Sequence, residues 1–239
     1  MSTYVYGVTR AAQPLPSGLE GIGKPALPVR TVLSGALCAL VSDAPQELKP
    51  RRRDLLAHQR VVTGAAADGP VLPFRFGGVS PDDDTVAAVL DEHQAHYLRR
   101  LELLEGKDEF NVKVDHDEET VLRVVLESDP ELRARHLANR ASGGGDQAEK
   151  LAFGELVARA VAQREGQDAA FVEQTLSPWA AGTRQGPPGS GRLANLSFLV
   201  ERERREEFLA AVHRLSEEHA HLLVQVAGPL PAYSFTEEG

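Results

Sequence analysis

A single charged residue, Arg75, lies in the middle of the apolar, turn-forming stretch VLPFRFGGV at residues 71–79. A phenylalanine flanks it on each side, a proline precedes them and two glycines follow. The apolar start predicts a buried strand, and the glycines predict a turn that ends it. A guanidinium in such a strand would need a partner, because an unpaired buried charge is very unfavourable.

A carboxylate would suit Arg75, because a guanidinium and a carboxylate can form two parallel hydrogen bonds. The sequence offers Glu109 on the polar side of a predicted strand, with Asp108 and Glu105 as alternatives. We expect this clamp to join the two halves of the chain. The open alternative is that Arg75 recognises a partner, in which case its replacement would reduce binding and leave stability unchanged.

The histidines and acidic residues do not form a metal-ligand pattern. His93 and His96 are three residues apart on a predicted helix, but no third or fourth ligand accompanies them. His93 falls on the apolar stripe of that helix, which favours a hydrogen-bonded core histidine. The acidic run SPDDD at 80–84 predicts a helix start, with its serine as N-cap and its proline in the first turn. His219 and His221 lie near a helix end and need no other role, so we predict no metal and no cofactor.

Sequence motifs of common enzyme classes are absent. The chain has no GxGxxG, GxxxxGK[ST], HExxH, CxxC or GxSxG, so no catalytic residue is predicted. The net charge of −9 argues against a nucleic-acid partner. Neither a signal peptide nor a stretch of ~18 apolar residues is visible, so we expect a soluble, cytoplasmic protein that does not enter a lipid membrane.

The first part of the chain mixes strands and helices. In order, the patterns predict a strand at 3–8, a loop at 11–28, a strand or hairpin at 31–43, a helix at 49–68 with Leu55, Leu56, Gln59 and Val62 on one face, the strand at 71–77, and a helix from the acidic run to Gly106.

The second part begins with a strand at 108–117, in which Phe110, Val112 and Val114 point to one side. After it the patterns predict a helix at 117–140 with a break at Asp129–Pro130, a helix at 148–180, a strand at 193–200, a helix at 201–220 and a strand at 221–228. Segments near 141–147 and 181–191 are rich in glycine and are predicted to be flexible.

These elements predict an α+β fold with two domains, 1–106 and 107–239. If the strand at 193–200 pairs with the strand near residue 110, and 221–228 lies beside it, the second domain has a ferredoxin-like split βαβ arrangement.

Four stretches together resemble the gas vesicle protein GvpL/GvpF family: YVYGV near the start, VLPFRFGGV, LELLEGKDEFNVKV, and GPLPAYSF near the end. In place of the tryptophan and second proline common in the last motif, this chain has Leu230 and Ala232. The residues that carry the resemblance are Pro73, Phe74, Arg75, Phe76, Gly77, Gly106, Glu109, Val112, Lys113, Gly228, Pro229, Tyr233 and Phe235.

The resemblance implies a two-domain α+β protein whose C-terminal domain is a modified ferredoxin-like fold with a helical insertion or variable region. It also implies a non-enzymatic accessory protein that contacts the hydrophobic gas vesicle shell protein and other accessory proteins during nucleation and assembly. The alternatives are a minor component of the vesicle wall and, from another class, an enzyme or small-molecule binder on the same scaffold. The face near Tyr233 and Phe235 is either a binding surface or a docked terminus that joins the two domains.

Overall fold

The computed structural model describes residues 2–141, 146–187 and 192–236. The chain forms two compact units, Met1–Phe110 with Gly228–Gly239, and Asn111–Ala227. Helices and strands occur in both, so the predicted α+β class is confirmed. The sequence predicts a boundary at residues 106–107 with all of 107–239 in the second domain, whereas the C-terminal segment Gly228–Gly239 belongs to the first compact unit.

The first unit is built on a five-stranded sheet. Its elements are β1 Thr3–Arg10, β2 Arg30–Ser34, β3 Leu37–Asp43, α1 Arg52–Ala66, β4 Leu72–Pro73, β5 Val79–Ser80, α2 Asp83–Glu92 and α3 Gln94–Leu104. The strand order is β2-β3-β1-β4, and β5 also pairs with β1. Strand β1 pairs antiparallel with β3, β4 and β5.

Strand β1 is buried on both faces, which makes it the centre of the first unit. Tyr4 and Tyr6 pack with the buried residues of α1. Val5 and Val8 lie on the side of α2 and α3. An irregularity in the β1–β3 pairing between Val5 and Gly7 adds a residue there, so that Val5 and Val8 can share a side although they are an odd number of positions apart.

The face predicted for α1 is wrong in three of its four residues, since Val62 is buried but Leu55, Leu56 and Gln59 are exposed. Leu55 and Leu56 are 42% and 44% exposed, and the buried face instead carries Asp54 and His58 among alanines and valines. The Asp54 carboxylate accepts a hydrogen bond from the Gly23 backbone N–H at 3.1 Å. Buried polar groups are tolerated when they are hydrogen-bonded. Because Asp54 and His58 both lie on the buried face of α1, the spacing of apolar residues alone does not identify that face.

The predicted strand at 71–77 is also largely wrong, because only Leu72–Pro73 forms a strand in this region. The Phe74 N–H still bonds to the Tyr6 carbonyl at 2.9 Å, and the chain then turns away from the sheet. Gly77 has a φ of 108°, a conformation that other residues rarely adopt, so the glycine permits this turn. Arg75 therefore lies in a loop and not in a buried strand.

The helix predicted after the acidic run has a different start and an interruption. Its N-cap is Asp82, whose carboxylate accepts from the Thr85 N–H at 2.8 Å, and not Ser80, which lies in β5. The helix is divided at His93 into α2 and α3. His93 is exposed at this junction, so its predicted core position is wrong. The predicted end of the helix at Gly106 is consistent with the structure, because α3 ends at Leu104 and Gly106 has a left-handed φ of 66°.

The second unit combines a sheet with a long helical segment. Its elements are β6 Lys107–His116, α4 Glu118–Ser128, α5 Pro130–Ala141, α6 Gln147–Leu176, β7 Gly182–Gln185, β8 Ala194–Glu201, α7 Arg205–Glu218 and β9 Leu222–Leu230. The start of β6 and the end of β9 belong to the first unit. The four-stranded sheet has the order β7-β8-β6-β9, so the predicted pairing of β8 and of β9 with β6 is confirmed.

The two segments predicted to be flexible lie only partly within the described residues. Residues 142–145 and 188–191 fall outside them. Within the second segment, β7 forms an antiparallel pair with β8, so the expected loop is corrected to a strand at Gly182–Gln185. Among the helices of the described ranges, none is both long and apolar enough to span a lipid bilayer.

Candidate functional site

A buried hydrogen-bonded network holds the loop that carries Arg75 on the side facing β1 and α1. His58 on α1 lies between the loop and β1, with its Nε2 2.9 Å from the Phe74 carbonyl oxygen and its Nδ1 2.8 Å from the Tyr4 hydroxyl. The Gly77 N–H donates to the same hydroxyl at 3.3 Å. Both ends of the turn are thus attached to one histidine–tyrosine pair.

The partners determine which nitrogen of His58 carries the proton. A carbonyl oxygen only accepts, so Nε2 donates to Phe74 and Nδ1 accepts from the Tyr4 hydroxyl. Burial lowers the pKa of His58 and so favours this neutral form, although the bond to Phe74 acts in the opposite direction. Burial likewise raises the pKa of the Tyr4 hydroxyl, which therefore keeps its proton. The network holds the loop without any charged group.

Arg75 does not form the predicted clamp. Its side chain is exposed at the outside of this loop, and its guanidinium forms no hydrogen bond or ion pair with any residue of the described ranges. Because the turn takes Arg75 out of the sheet and into solvent, it needs no carboxylate partner. The alternative left open by the sequence, a residue available for recognition, agrees with this position.

Replacement of Arg75 by alanine should therefore leave the stability of the protein unchanged. An exposed side chain without a partner contributes within about 0.5 kcal/mol to the free energy of unfolding. Thermal unfolding of Arg75→Ala beside the wild-type protein measures this directly. A drop of several degrees in Tm would contradict this prediction and would support a stabilising ion pair of Arg75.

An apolar cleft of about 340 Å³ lies next to the loop. Phe74 from the loop, Val5 and Val8 from β1, and Val89 and Tyr97 from the two helices contribute to its walls. Val89 is 40% exposed and Val79, at the start of β5, is 48% exposed, so apolar surface is open to solvent at the cleft. A cleft of this volume with apolar walls can accept a hydrophobic side chain or one face of a helix.

The C-terminal motif docks inside the first unit, through Glu109. Glu109 is 4% exposed, and its carboxylate accepts two hydrogen bonds from Ser234, one from the backbone N–H at 2.9 Å and one from the hydroxyl at 2.7 Å. Phe235 is 2% exposed, and Arg100 donates to its carbonyl oxygen. Burial raises the pKa of Tyr233 to about 12. Glu109 therefore anchors the terminus instead of pairing with Arg75.

Most of the remaining motif residues lie in the strands β6 and β9. Gly228 lies against the ring of Phe110, and Pro229 follows it in β9. Val112 is fully buried, as the alternation in β6 predicted, and Lys113 is its half-buried neighbour. The motif residues thus form two groups in the first unit, the loop of Pro73–Gly77 and the anchored terminus, while Val112 and Lys113 belong to the second unit.

Sequence reasoning missed two sets of residues. Apolar residues of α2 that line the cleft look like ordinary core positions in the sequence, and nothing there indicates that a cleft remains open. The second set is a group of histidine and acidic side chains, His116, Asp168 and His221, whose ligand atoms all lie within 4.8 Å of one another in the part of the chain that the structure describes. They are about fifty residues apart, so no local spacing could have found them.

Comparison with known proteins gives consistent results over the whole chain. The model of the family described as gas vesicle synthesis protein GvpL/GvpF matches residues 2–237. Gas vesicle protein F of Streptomyces sp. (strain CB03234) is 56% identical over 238 residues, which is 99% of this chain and 100% of that protein. Gas vesicle protein L of the same strain is 30% identical over 261 residues, covering 97% of this chain and 91% of that protein.

The fold is also similar to that of a solved structure. The crystal structure of the gas vesicle protein GvpF from Anabaena sp. PCC7120 superimposes with a TM-score of 0.77 and covers 100% of this chain and 97% of its own. The sequence identity is 22%, so this comparison concerns the fold alone.

Proposed function

Because this chain belongs to the gas vesicle synthesis protein GvpL/GvpF family, we propose that it is a non-enzymatic accessory protein that binds the hydrophobic shell protein of gas vesicles and supports their nucleation and assembly. It would act in the cytoplasm at growing vesicles, together with other accessory proteins. The observation that carries the proposal is the open apolar cleft of the first unit.

The cleft suits a partner whose surface is apolar before assembly. A subunit that will form a hydrophobic wall exposes apolar surface until it is incorporated, and such surface aggregates unless it is covered. Insertion of an apolar side chain into the cleft would bury Val79 and Val89, which are now 48% and 40% exposed. Apolar burial contributes roughly 25 cal/mol per Å², so even a small contact of this kind favours binding.

Arg75 offers a polar contact beside the apolar one. Its loop is held by His58 and Tyr4, while the guanidinium is exposed and, within the part of the chain that the structure describes, has no bond that would prevent it from reaching a carboxylate of the partner. A charge at the rim of an interface mainly affects orientation and association rate. We therefore expect Arg75→Ala to reduce the association rate and its dependence on salt.

Two finer assignments accompany the proposal. The order β7-β8-β6-β9, with helices between β6 and β7 and between β8 and β9, supports a ferredoxin-like C-terminal domain in which α6, which packs against β8 and α7, is the first crossover helix and α4 and α5 are the helical insertion. The identity of 56% to a protein F, against 30% to a protein L of the same strain, supports the F branch of the family.

Capture of purified shell subunit by the tagged protein tests the proposed surface. We expect Val89→Asp to reduce capture at least ~10-fold, because a carboxylate in an apolar contact must be desolvated without a partner. Leu55→Asp on α1 is the matched control, since Leu55 is 42% exposed, close to the 40% of Val89, and lies outside the cleft. It should capture the shell subunit like the wild-type protein.

Two results would contradict the proposal in different ways. If Val89→Asp and Leu55→Asp both capture normally, the cleft is not the binding surface. If the wild-type protein captures no shell subunit but remains in purified vesicles after a urea wash, the protein is a component of the wall instead.

A further inference from the structure

Three side chains of the second unit converge from elements that are distant in sequence. His116 is the last residue of β6, Asp168 lies on α6, and His221 directly precedes β9. The Asp168 Oδ2 atom is 2.9 Å from His116 Nε2 and 3.1 Å from His221 Nε2. The exposed fractions of the side chains are 8% for His116, 3% for Asp168 and 7% for His221, so the group is buried.

Arg164 approaches the same atoms and creates a conflict between hydrogen bonds. Its Nε donates to Asp168 Oδ2 at 2.8 Å, and its Nη2 lies 3.1 Å from His221 Nε2. A guanidinium only donates and an ionised carboxylate only accepts. A single Nε2 atom of His221 cannot accept from Arg164 and donate to Asp168, so one of its two close contacts is always unfavourable.

A bound cation would remove this conflict. Both imidazoles could present the lone pair of Nε2 to the ion, and Asp168 could present Oδ2. In a tetrahedral zinc site, bonds of about 2.0–2.2 Å place the ligand atoms roughly 3.3 Å apart, so the two contacts of Asp168 need to lengthen by only a few tenths of an ångström. The Arg164 side chain is 27% exposed, which leaves it a route to turn outward toward water.

We propose that His116, Asp168 and His221 form a binding site for a divalent transition-metal ion of the zinc type. Two neutral imidazoles and one carboxylate are a donor set that zinc binds well, and a water molecule would complete the tetrahedron. The ion would connect α6 to the ends of β6 and β9, and so would stabilise the packing of the long helix in the second unit. This site is separate from the proposed shell-binding cleft and does not depend on it.

The test uses the full-length protein after removal of any affinity tag, with Zn²⁺ as the probe. After equilibrium dialysis, we expect about one zinc ion per chain, and a rise in Tm of several degrees at ~100-fold excess over the dissociation constant. Both effects should be lost in His116→Ala and in Asp168→Asn. Co²⁺ in place of zinc should give the visible absorption of a tetrahedral site, which a structural role of these residues would not produce.

His213→Ala is the matched control, because His213 lies in the same unit and its side chain is 71% exposed. It should bind zinc like the wild-type protein, and circular dichroism verifies that each variant is folded. If the wild-type protein retains no zinc and gives no Co²⁺ spectrum, the group is a hydrogen-bonded charge cluster and the proposal is overturned. Undiminished zinc binding by folded His116→Ala and Asp168→Asn would overturn it as well.

Discussion

Replacement of His58 by alanine should destabilise the first unit by about 3–4 kcal/mol, which lowers the Tm of its unfolding by on the order of 10 °C. His58 is 3% exposed, so its removal leaves a cavity below the loop. The same substitution removes the donor to the Phe74 carbonyl and the acceptor of the Tyr4 hydroxyl proton, although that hydroxyl still accepts from the Gly77 N–H. An unsatisfied buried group costs about 1–3 kcal/mol.

Urea and thermal unfolding of His58→Ala measure the stability, and hydrogen exchange of the loop amides measures its anchoring. Tyr4→Phe should give a smaller loss of about 1–2 kcal/mol, since it removes only the hydroxyl. His213→Ala, at an exposed histidine, is the control and should change stability by less than about 0.5 kcal/mol. If His58→Ala unfolds like this control, the network does not hold the loop.

Replacement of Gly228 by alanine should cost about 3 kcal/mol. A Cβ at this position would lie 2.5 Å from Cδ1 of Phe110 and 2.9 Å from its Cε1, well inside van der Waals contact. The Phe110 ring is 1% exposed and packed on all sides, so it cannot move away without disturbing the core. The φ of 157° adds strain for a residue with a side chain.

Gly154→Ala provides the matched control for this prediction. Gly154 lies in α6, and a Cβ there would have no atom within 4 Å. Alanine favours a helix over glycine by about 0.5–1 kcal/mol, so this variant should be slightly more stable. Opposite changes in the urea midpoint of the two variants are therefore expected. An equal or greater stability of Gly228→Ala would mean that the C-terminal strand does not pack closely on Phe110.

The element types and much of their order follow from local patterns in the sequence. Alternation in β6 correctly identified Phe110, Val112 and Val114 as a buried face, and the Asp129–Pro130 pair correctly divided α4 from α5. These predictions succeeded because periodicity and proline act on neighbouring residues. The distinctive Pro73–Gly77 and C-terminal motifs likewise pointed to the gas vesicle family that the comparisons support.

The partners of polar side chains were decided only by the tertiary structure. Sequence reasoning paired Arg75 with Glu109, whereas the turn after Pro73 exposes Arg75 and the returning C-terminus gives Glu109 to Ser234. His58 can lie on the buried face of α1 because both of its ring nitrogens are hydrogen-bonded, one to the Tyr4 hydroxyl and one to the Phe74 carbonyl. A hydrogen bond requires that groups far apart in the chain be placed relative to each other to within a few tenths of an ångström, and no local pattern contains that information.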